Sequence, residues 1–353
     1  MGTYSGQEDK FFQKRISLIL PIVGSGVRSF ERIAKGRNSR IYLVRCNDSK
    51  KYACKFYFSN ELDFRDRMGV EFSALRFLWN NGIRNVPEPI FIHNEQRFAI
   101  YEYIDGAKVG SQGITERDID YASDFLKRIN ALRQKAVGIS PASEAFFSVG
   151  DVVGNLEKRY NRLAEISEDV GLSGFLEEEF LPLFNSVVRW CRSELEFFGS
   201  ELEYGSFIKK RRMVLSPSDF GFHNALRKGD GSIVFLDFEH FGWDDPAKTI
   251  SDFLLHPEMN LSSGLKEHFV RNVLSCFPED SSLEARLRIV FPLFGLKWCL
   301  IILNEFLAEH FLRRQFAYGE PLVAEEVQAE QLVKARVLLD EVSLVYKNFP
   351  YGL

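Results

Sequence analysis

A change of periodicity near residue 106 limits the folds open to this chain more than any other feature. From Ser29 to Ile104 short apolar runs alternate with polar or glycine-containing breaks, whereas after Gly113 apolar residues recur at helical spacing. Phe30–Ile33, Ile41–Val44 and Tyr52–Tyr57 predict a three-strand meander, broken at Lys35–Ser39 and Asn47–Lys50. Val70, Ala74, Leu75, Phe77 and Leu78 predict one helix between Asp66 and Asn81, closed by Gly82 and Pro87. Ile90–Ile92 and Arg97–Ile104 add a hairpin. Beyond the change, helices are expected over Asp118–Lys135, Val149–Ile166, Leu176–Phe198, Leu283–Phe316 and Val323–Tyr346. One β island interrupts them: Met213–Leu215, then Asn224–Leu226 and Ser232–Asp237 joined by the turn Lys228–Gly231. A length of 353 residues exceeds what one core usually serves. The expectation is an α+β, two-lobed chain: an N-terminal extension over 1–28, a small β-rich N-lobe over 29–106 and a larger helical C-lobe over 107–353 with an embedded β-hairpin.

Composition narrows the class further. Hydrophobic residues at 45% and charged residues at 27% exclude a disordered or collagen-like chain. The 33 Phe, 12 Tyr and 4 Trp promise a bulky core. A net charge of −4 lacks the footprint of a nucleic-acid binder. The five cysteines form no CxxC pair, which fits a reducing, cytoplasmic setting. The longest apolar run, Ile289–Leu303, contains Pro292 and Lys297 and falls short of the roughly 20 residues that span a bilayer, so it is expected to be a core helix rather than a membrane span. Ile16–Val23 imitates the apolar part of a signal peptide but is short and contains Pro21.

The densest polar cluster lies on the embedded hairpin. Asp219 and Asn224 precede it, and Asp237 and Glu239 follow it, so the hairpin brings Asn224 and Asp237 side by side with Asp219 on the loop just upstream. Carboxylates and a carboxamide at one point suit Mg²⁺, which prefers oxygen and leaves positions for water and phosphate. Without a cation, each carboxylate pair at 4 Å would cost about 4 kcal/mol at an effective dielectric near 20. Asp219 is then placed to accept a proton from an attacking hydroxyl.

These residues resemble the protein-kinase-like aminoglycoside phosphotransferases and choline/ethanolamine kinases, over about residues 29–310. The likeness is most specific in Pro217-Ser-Asp219-x4-Asn224, Leu236-Asp-Phe-Glu239 and Asp245-Pro-Ala247. It implies a two-lobed protein-kinase-like fold with a catalytic loop over 215–247. Asp219 would be the base, Asn224 and Asp237 would hold Mg²⁺ with help from Glu239, and Asp245 would fix the loop. In the N-lobe it implies a phosphate-covering loop at Gly36-Arg-Asn38-Ser39, a phosphate-binding Lys55 on the third strand and a partner for it in Glu71. Taken alone, Glu71 reads as a solvated helix residue. Glu102 and Tyr103 would form the hinge that hydrogen-bonds a purine through its backbone. No GxGxxG or GxxxxGK[ST] occurs, which leaves Rossmann and P-loop readings without support.

The chain departs from the family at Pro217, where a histidine usually braces the loop. His223 reads as packing or capping rather than catalysis. Lys209–Arg212 reads as a solvated turn, with an anionic substrate as its alternative. The resulting expectation is a Mg²⁺-dependent phosphotransferase that moves the γ-phosphate of ATP or GTP to a hydroxyl of a small molecule. Two rivals are a pseudokinase or nucleotide-binding scaffold, and a kinase acting on a macromolecule or polysaccharide precursor.

Overall fold

The structure is a computed structural model that describes residues 8–35, 39–58, 65–110, 113–166, 169–198, 204–205, 208–318 and 322–352. Gly36 and Asn38 of the expected phosphate-covering loop lie outside the described residues.

Two short helices, α1 (Glu8–Gln13) and α2 (Ile16–Val23), lead into β1 (Val27–Lys35), β2 (Ser39–Cys46) and β3 (Lys51–Tyr57). Helix α3 (Arg67–Asn80) and the hairpin β4 (Pro89–His93) and β5 (Phe98–Glu102) follow. The strands form one antiparallel sheet in the order β1-β2-β3-β5-β4. Period-two alternation sorts β3 between two faces. Cys54 and Phe56 pack with Phe12, Ile19 and Val23 of the N-terminal helices, while Tyr57, with Ala53 against it, joins the core on the α3 side. Lys55 shares that second face. The Ile16–Val23 segment is thus a helix that buries Ile19 and Val23 against the sheet.

After β6 (Gly106–Lys108) come α4 (Glu116–Asn130), α5 (Val149–Ala164), α6 (Val170–Gly174) and α7 (Leu181–Phe198), with a wider-wound turn at Phe175–Phe180 ahead of α7. The β island consists of β7 (Val214–Ser216), β8 (Ala225–Lys228), β9 (Ile233–Phe235) and β10 (Gly242–Asp244). β8 pairs with β9 as the expected hairpin; β6 joins its other edge, and β10 pairs with β7. The last two pairings involve three-residue strands, too short to carry a periodicity. Gly242 is required by close approach, because a Cβ there would lie 2.4 Å from the Ala142 nitrogen and 2.5 Å from the Ser140 oxygen. That contact holds residues 140–144 against the β7–β10 pair.

Helices α8 (Pro246–Leu255), α9 (Ser263–Ser275), α10 (Leu283–Ile302), α11 (Ala308–Tyr318) and α12 (Ala324–Val345) complete the fold. α10 is the expected core helix: the candidate span Leu283–Phe306 has 78% of its most apolar window buried. The helix expected over Leu283–Phe316 is divided in two. A tight turn at Leu303–Phe306 ends with Leu307 in an extended conformation. The chain then turns so that Phe316 and Ala317 of α11 offer their carbonyls to Arg40 and Arg32 of the sheet. The architecture is an N-terminal antiparallel sheet and a mostly helical C-terminal part, a bilobal protein-kinase-like fold.

Candidate functional site

The first half of the site grows from β3 and α3. Lys55 is 6% exposed, and its Nζ lies 2.7 Å from Glu71 Oε2 and 2.8 Å from Asp237 Oδ1. Glu71 is buried as well, and Tyr57 donates its hydroxyl to the same Oε2 at 2.6 Å. Burial alone would push Lys55 down. Asp237, Glu71 and Glu239 outweigh it and hold the ammonium well above its ordinary value. Two carboxylates, Glu71 and Asp237, meet this one buried lysine, and Glu239 stands close by with partners of its own. Accordingly, burial and then Glu239 and Glu71 push Asp237 up to about 6 against the pull of Lys55. Glu239 goes the other way, down to about 2, because His240, Lys55 and Arg67 overcome its burial. Arg67 Nε and His240 Nε2 each stand 3.3 Å from Glu239 Oε1. Oxygens of Glu71, Asp237 and Glu239 lie within 4.8 Å of one another. This oxygen-only donor set suits a hard divalent cation.

The second half is the loop after β7. Asp219 Oδ1 lies 3.1 Å from His223 Nε2 and 3.6 Å from His256 Nε2. The two imidazoles stack with centroids 3.6 Å apart and planes 5° from parallel. Asn224 donates Nδ2 to the Asp219 carbonyl at 3.0 Å and to its Oδ2 at 3.3 Å. Burial would raise the Asp219 carboxyl, but the hydrogen bond and charge of His223, followed by His256 and His240, hold it well below the carboxylate range. His223 is thus packed on His256 and is at the same time a contact of Asp219. Gly221 makes that approach possible, since a Cβ there would lie 2.7 Å from His223 Nδ1.

Backbone strain marks the joints of both halves. Ser218 (φ 68°) and Asp237 (φ 64°) occupy the left-handed region, as does Glu144 (φ 60°). The loop that lacks the usual histidine is braced from α8. Lys248 Nζ, 1% exposed, reaches Ser218 Oγ at 2.9 Å, Asp244 at 2.8 Å and Asp252 at 3.1 Å. Thr249 donates to Ser216 Oγ at 2.9 Å.

The hairpin brings the two halves together, with the Leu236 amide donating to the Asn224 carbonyl at 2.8 Å. Asp245 lies apart from the cluster: it caps α8 through the Ala247 amide at 2.8 Å and accepts two 3.0 Å bonds from Arg286. Ser39 is buried at the start of β2 opposite Tyr57. Glu102 Oε2 accepts from the Glu88 amide at 3.2 Å, and Tyr103 lies beneath Lys51, so neither of those side chains is turned toward Lys55. Lys209, Lys210 and Arg211 are exposed, as a solvated turn would be, whereas Arg212 turns inward to Asp280.

Arg67, Lys248 and His256 had no place in the motif reading. Lys248 carried a signal all the same, since Asp244, Lys248 and Asp252 follow at i, i+4 spacing. His256 carried none.

The folded chain is similar to solved kinases. The choline kinase LicA from Streptococcus pneumoniae superposes with a TM-score of 0.57 at 17% identity, covering 96% of this chain and all of that one. An ethanolamine kinase of Plasmodium vivax gives 0.60 at 15% identity, with 95% and 90% covered. A spectinomycin phosphotransferase in complex with ADP and spectinomycin gives 0.57 at 14%, with 90% and 98% covered. No curated protein is similar enough in sequence to be matched to it. Residues 29–272, more than half of the chain and both halves of the site, match one family as a whole: the chain belongs to the phosphotransferase enzyme family.

Proposed function

We propose that the protein transfers the γ-phosphoryl group of ATP, with GTP as the alternative donor, to a hydroxyl of a small molecule. The observation that carries this reading is that a buried Lys55–Glu71 pair and the half-buried Asp237 stand across one hairpin from Asp219.

Lys55 would bind the donor's phosphates as a point charge, held in place by Glu71. The purine would meet the backbone at Glu102–Tyr103, whose side chains are engaged elsewhere. Asp237 and Glu239 fit Mg²⁺, with the Asn224 carboxamide oxygen as a further donor, and the ion would supply neutralisation of the phosphate charge. Asp219 would orient the acceptor hydroxyl. As the hydroxyl oxygen forms its bond to the γ-phosphorus, the bond from that phosphorus to the bridging oxygen breaks, its electron pair leaves with the nucleoside diphosphate, and the hydroxyl proton passes to Asp219. A carboxyl held so far toward ionisation is a weak base, so its main contribution would be positioning. Spectinomycin and choline, named for similar structures, support a small polar acceptor.

Asp219→Asn should lower phosphoryl transfer by roughly 10²–10⁴-fold with Mg·ATP affinity intact. The measurement is ³¹P NMR of products formed from Mg·ATP and Mg·GTP, beside calorimetric titration of the nucleotide. Undiminished turnover in Asp219→Asn would sink the assignment of the base.

A further inference from the structure

Building on that phosphotransferase reading, we infer that Lys297 of α10 selects the acceptor: its ammonium donates to an acceptor oxygen beside Asp219 and repels acceptors that carry a cationic amine.

Lys297 is the one charge in the apolar run Ile289–Leu303. Among the described residues three lysines are buried, Lys55, Lys248 and Lys297. Lys55 Nζ has carboxylate oxygens at 2.7 and 2.8 Å, and Lys248 Nζ has oxygens at 2.8, 2.9 and 3.1 Å. Lys297 is only 3% exposed, yet its Nζ stands 3.6 Å from Asp252 Oδ1 and makes no hydrogen bond to a described residue. The rings of Phe294 and Phe146 flank it, with centroids 5.1 and 5.3 Å away. The described polar atoms that are both shut off from solvent and without a hydrogen bond do not include this nitrogen, so solvent still reaches it.

Two paths of contact lead from Lys297 to the catalytic loop. Trp298, the next residue, sets its ring at 77° to that of His256, with centroids 4.7 Å apart, and His256 stands 3.6 Å from Asp219. Phe146 belongs to the segment whose Ser143 carbonyl accepts from Ser218 Oγ at 3.5 Å, and Ser218 directly precedes Asp219. Lys297 therefore stands on the same side of the loop as His256, behind the place where Asp219 would orient a hydroxyl.

A lysine kept only to balance Asp252 would be redundant. Lys248 already pairs with Asp252 Oδ2 at 3.1 Å, and the Trp298 indole donates to Oδ1 at 2.9 Å. An ammonium offers three donors, and a buried charge with its donors unused is costly. The flanking rings attract the charge through their faces but supply no oxygen. In keeping with this, burial, ahead of the attraction of Asp252, holds the ammonium below its ordinary value. An oxygen of a bound acceptor would take up the free donors. The same charge would count against an amino alcohol or amino sugar, which brings a second cation into the pocket.

The test is calorimetry on the full-length protein, with and without Mg²⁺ and the β,γ-imido analogue of ATP, using probes that differ in one group. Glycerol is compared with aminopropanediol and glycerate, glucose with glucosamine and gluconate, and dimethylbutanol with choline. At least one neutral or anionic probe should bind about ten-fold or more tightly than its cationic counterpart. The neutral and anionic members separate a hydroxyl from a carboxylate as the oxygen that Lys297 holds. Lys297→Met keeps the length of the side chain. It should weaken that probe by about ten-fold or more, bring its cationic counterpart level to within about three-fold, and leave nucleotide affinity unchanged. Lys297→Gln should also narrow the ratio, and stands in if the first variant does not fold. A purely structural lysine would lower stability in urea without moving the ratio between probes. A cationic advantage, a ratio unmoved in both variants, or no binding by any neutral or anionic probe would overturn the inference. ³¹P NMR with Mg·ATP keeps the two proposals apart. Transfer to cationic acceptors alone overturns the role of Lys297 and keeps the phosphotransferase reading. A probe whose binding depends on Lys297 but which never receives phosphate upholds the selection and counts against that reading.

Discussion

Asp237 and Asp219, the two half-buried carboxylates of the site, shift in opposite directions. Around Lys55, two carboxylates share one ammonium with a third, Glu239, close by, and Asp237 is pushed up to about 6. Around Asp219, a single carboxylate faces two stacked imidazoles and is held well below its ordinary range. At the first centre Asp237 has only a lysine that it shares with Glu71, so it gains from a divalent cation. The second is already compensated by its own side chains, so an added cation would compete with histidines. Burial is common to both; the sign of the neighbours decides the outcome. That contrast separates a group that binds metal and phosphate from a group that orients a hydroxyl.

Loss of Asp237 should have the largest effect. Asp237→Ala should abolish metal-dependent nucleotide binding and lower turnover by about 10³-fold. Calorimetry that finds unaltered Mg·ATP affinity would refute the metal role. Next in size is the brace behind Asp219. Lys248→Met leaves Asp244 and Asp252 buried without their shared cation, and removing one partner of such a pair costs about 3–5 kcal/mol. Urea unfolding should show that loss. A stability change below about 1 kcal/mol would mean that the network is no brace.

The two centres also differ in how far the sequence disclosed them. Asn224 and Asp237 were legible because a hairpin turn sets its two ends side by side, with Asp219 on the loop just upstream, and Lys55 gained its role from the family resemblance on a strand that the apolar pattern had located. Glu71 was legible only through family resemblance, since an acid on a helix looks solvated until the sheet covering it is known. Lys248 of α8 reaches the loop with only its i, i+4 spacing to Asp244 and Asp252 as a signal, and His256, which caps α8, reaches it with no local pattern to announce the approach. The strand meander, α3 and the hairpin were read to within a few residues. β6 and β10 were missed because three residues carry no period. The break at Leu303–Leu307 was missed because apolar residues continue through it at helical spacing, while tertiary packing of α11 on the sheet turns the chain.

His256 sharpens the second centre on a smaller scale. His256→Leu removes one positive neighbour of Asp219, so the carboxyl should move up toward its ordinary value. The acid limb of the kcat profile should then shift to higher pH, with kcat at neutral pH lower by about ten-fold. A profile that keeps its acid limb would show that His223 and His240 set the charge of Asp219 without His256.

The smallest expected effect lies at the first centre and has the opposite sign. Because the folded chain raises Asp237 to about 6, this carboxyl takes up a proton on folding; the stability it contributes is complete below pH 4 and is lost as pH rises through 6. Mg²⁺ binds the ionised form, so its stabilisation should grow over that same interval. Thermal unfolding with and without Mg²⁺ should give a shift of about a degree or less at pH 5 and a few degrees at pH 7.5. In Asp237→Asn the shift should be small at both values. An equal shift at both pH values in the unsubstituted chain would mean that the cation enters without displacing a proton, and that Asp237 is as well compensated by Lys55 as Asp219 is by its histidines.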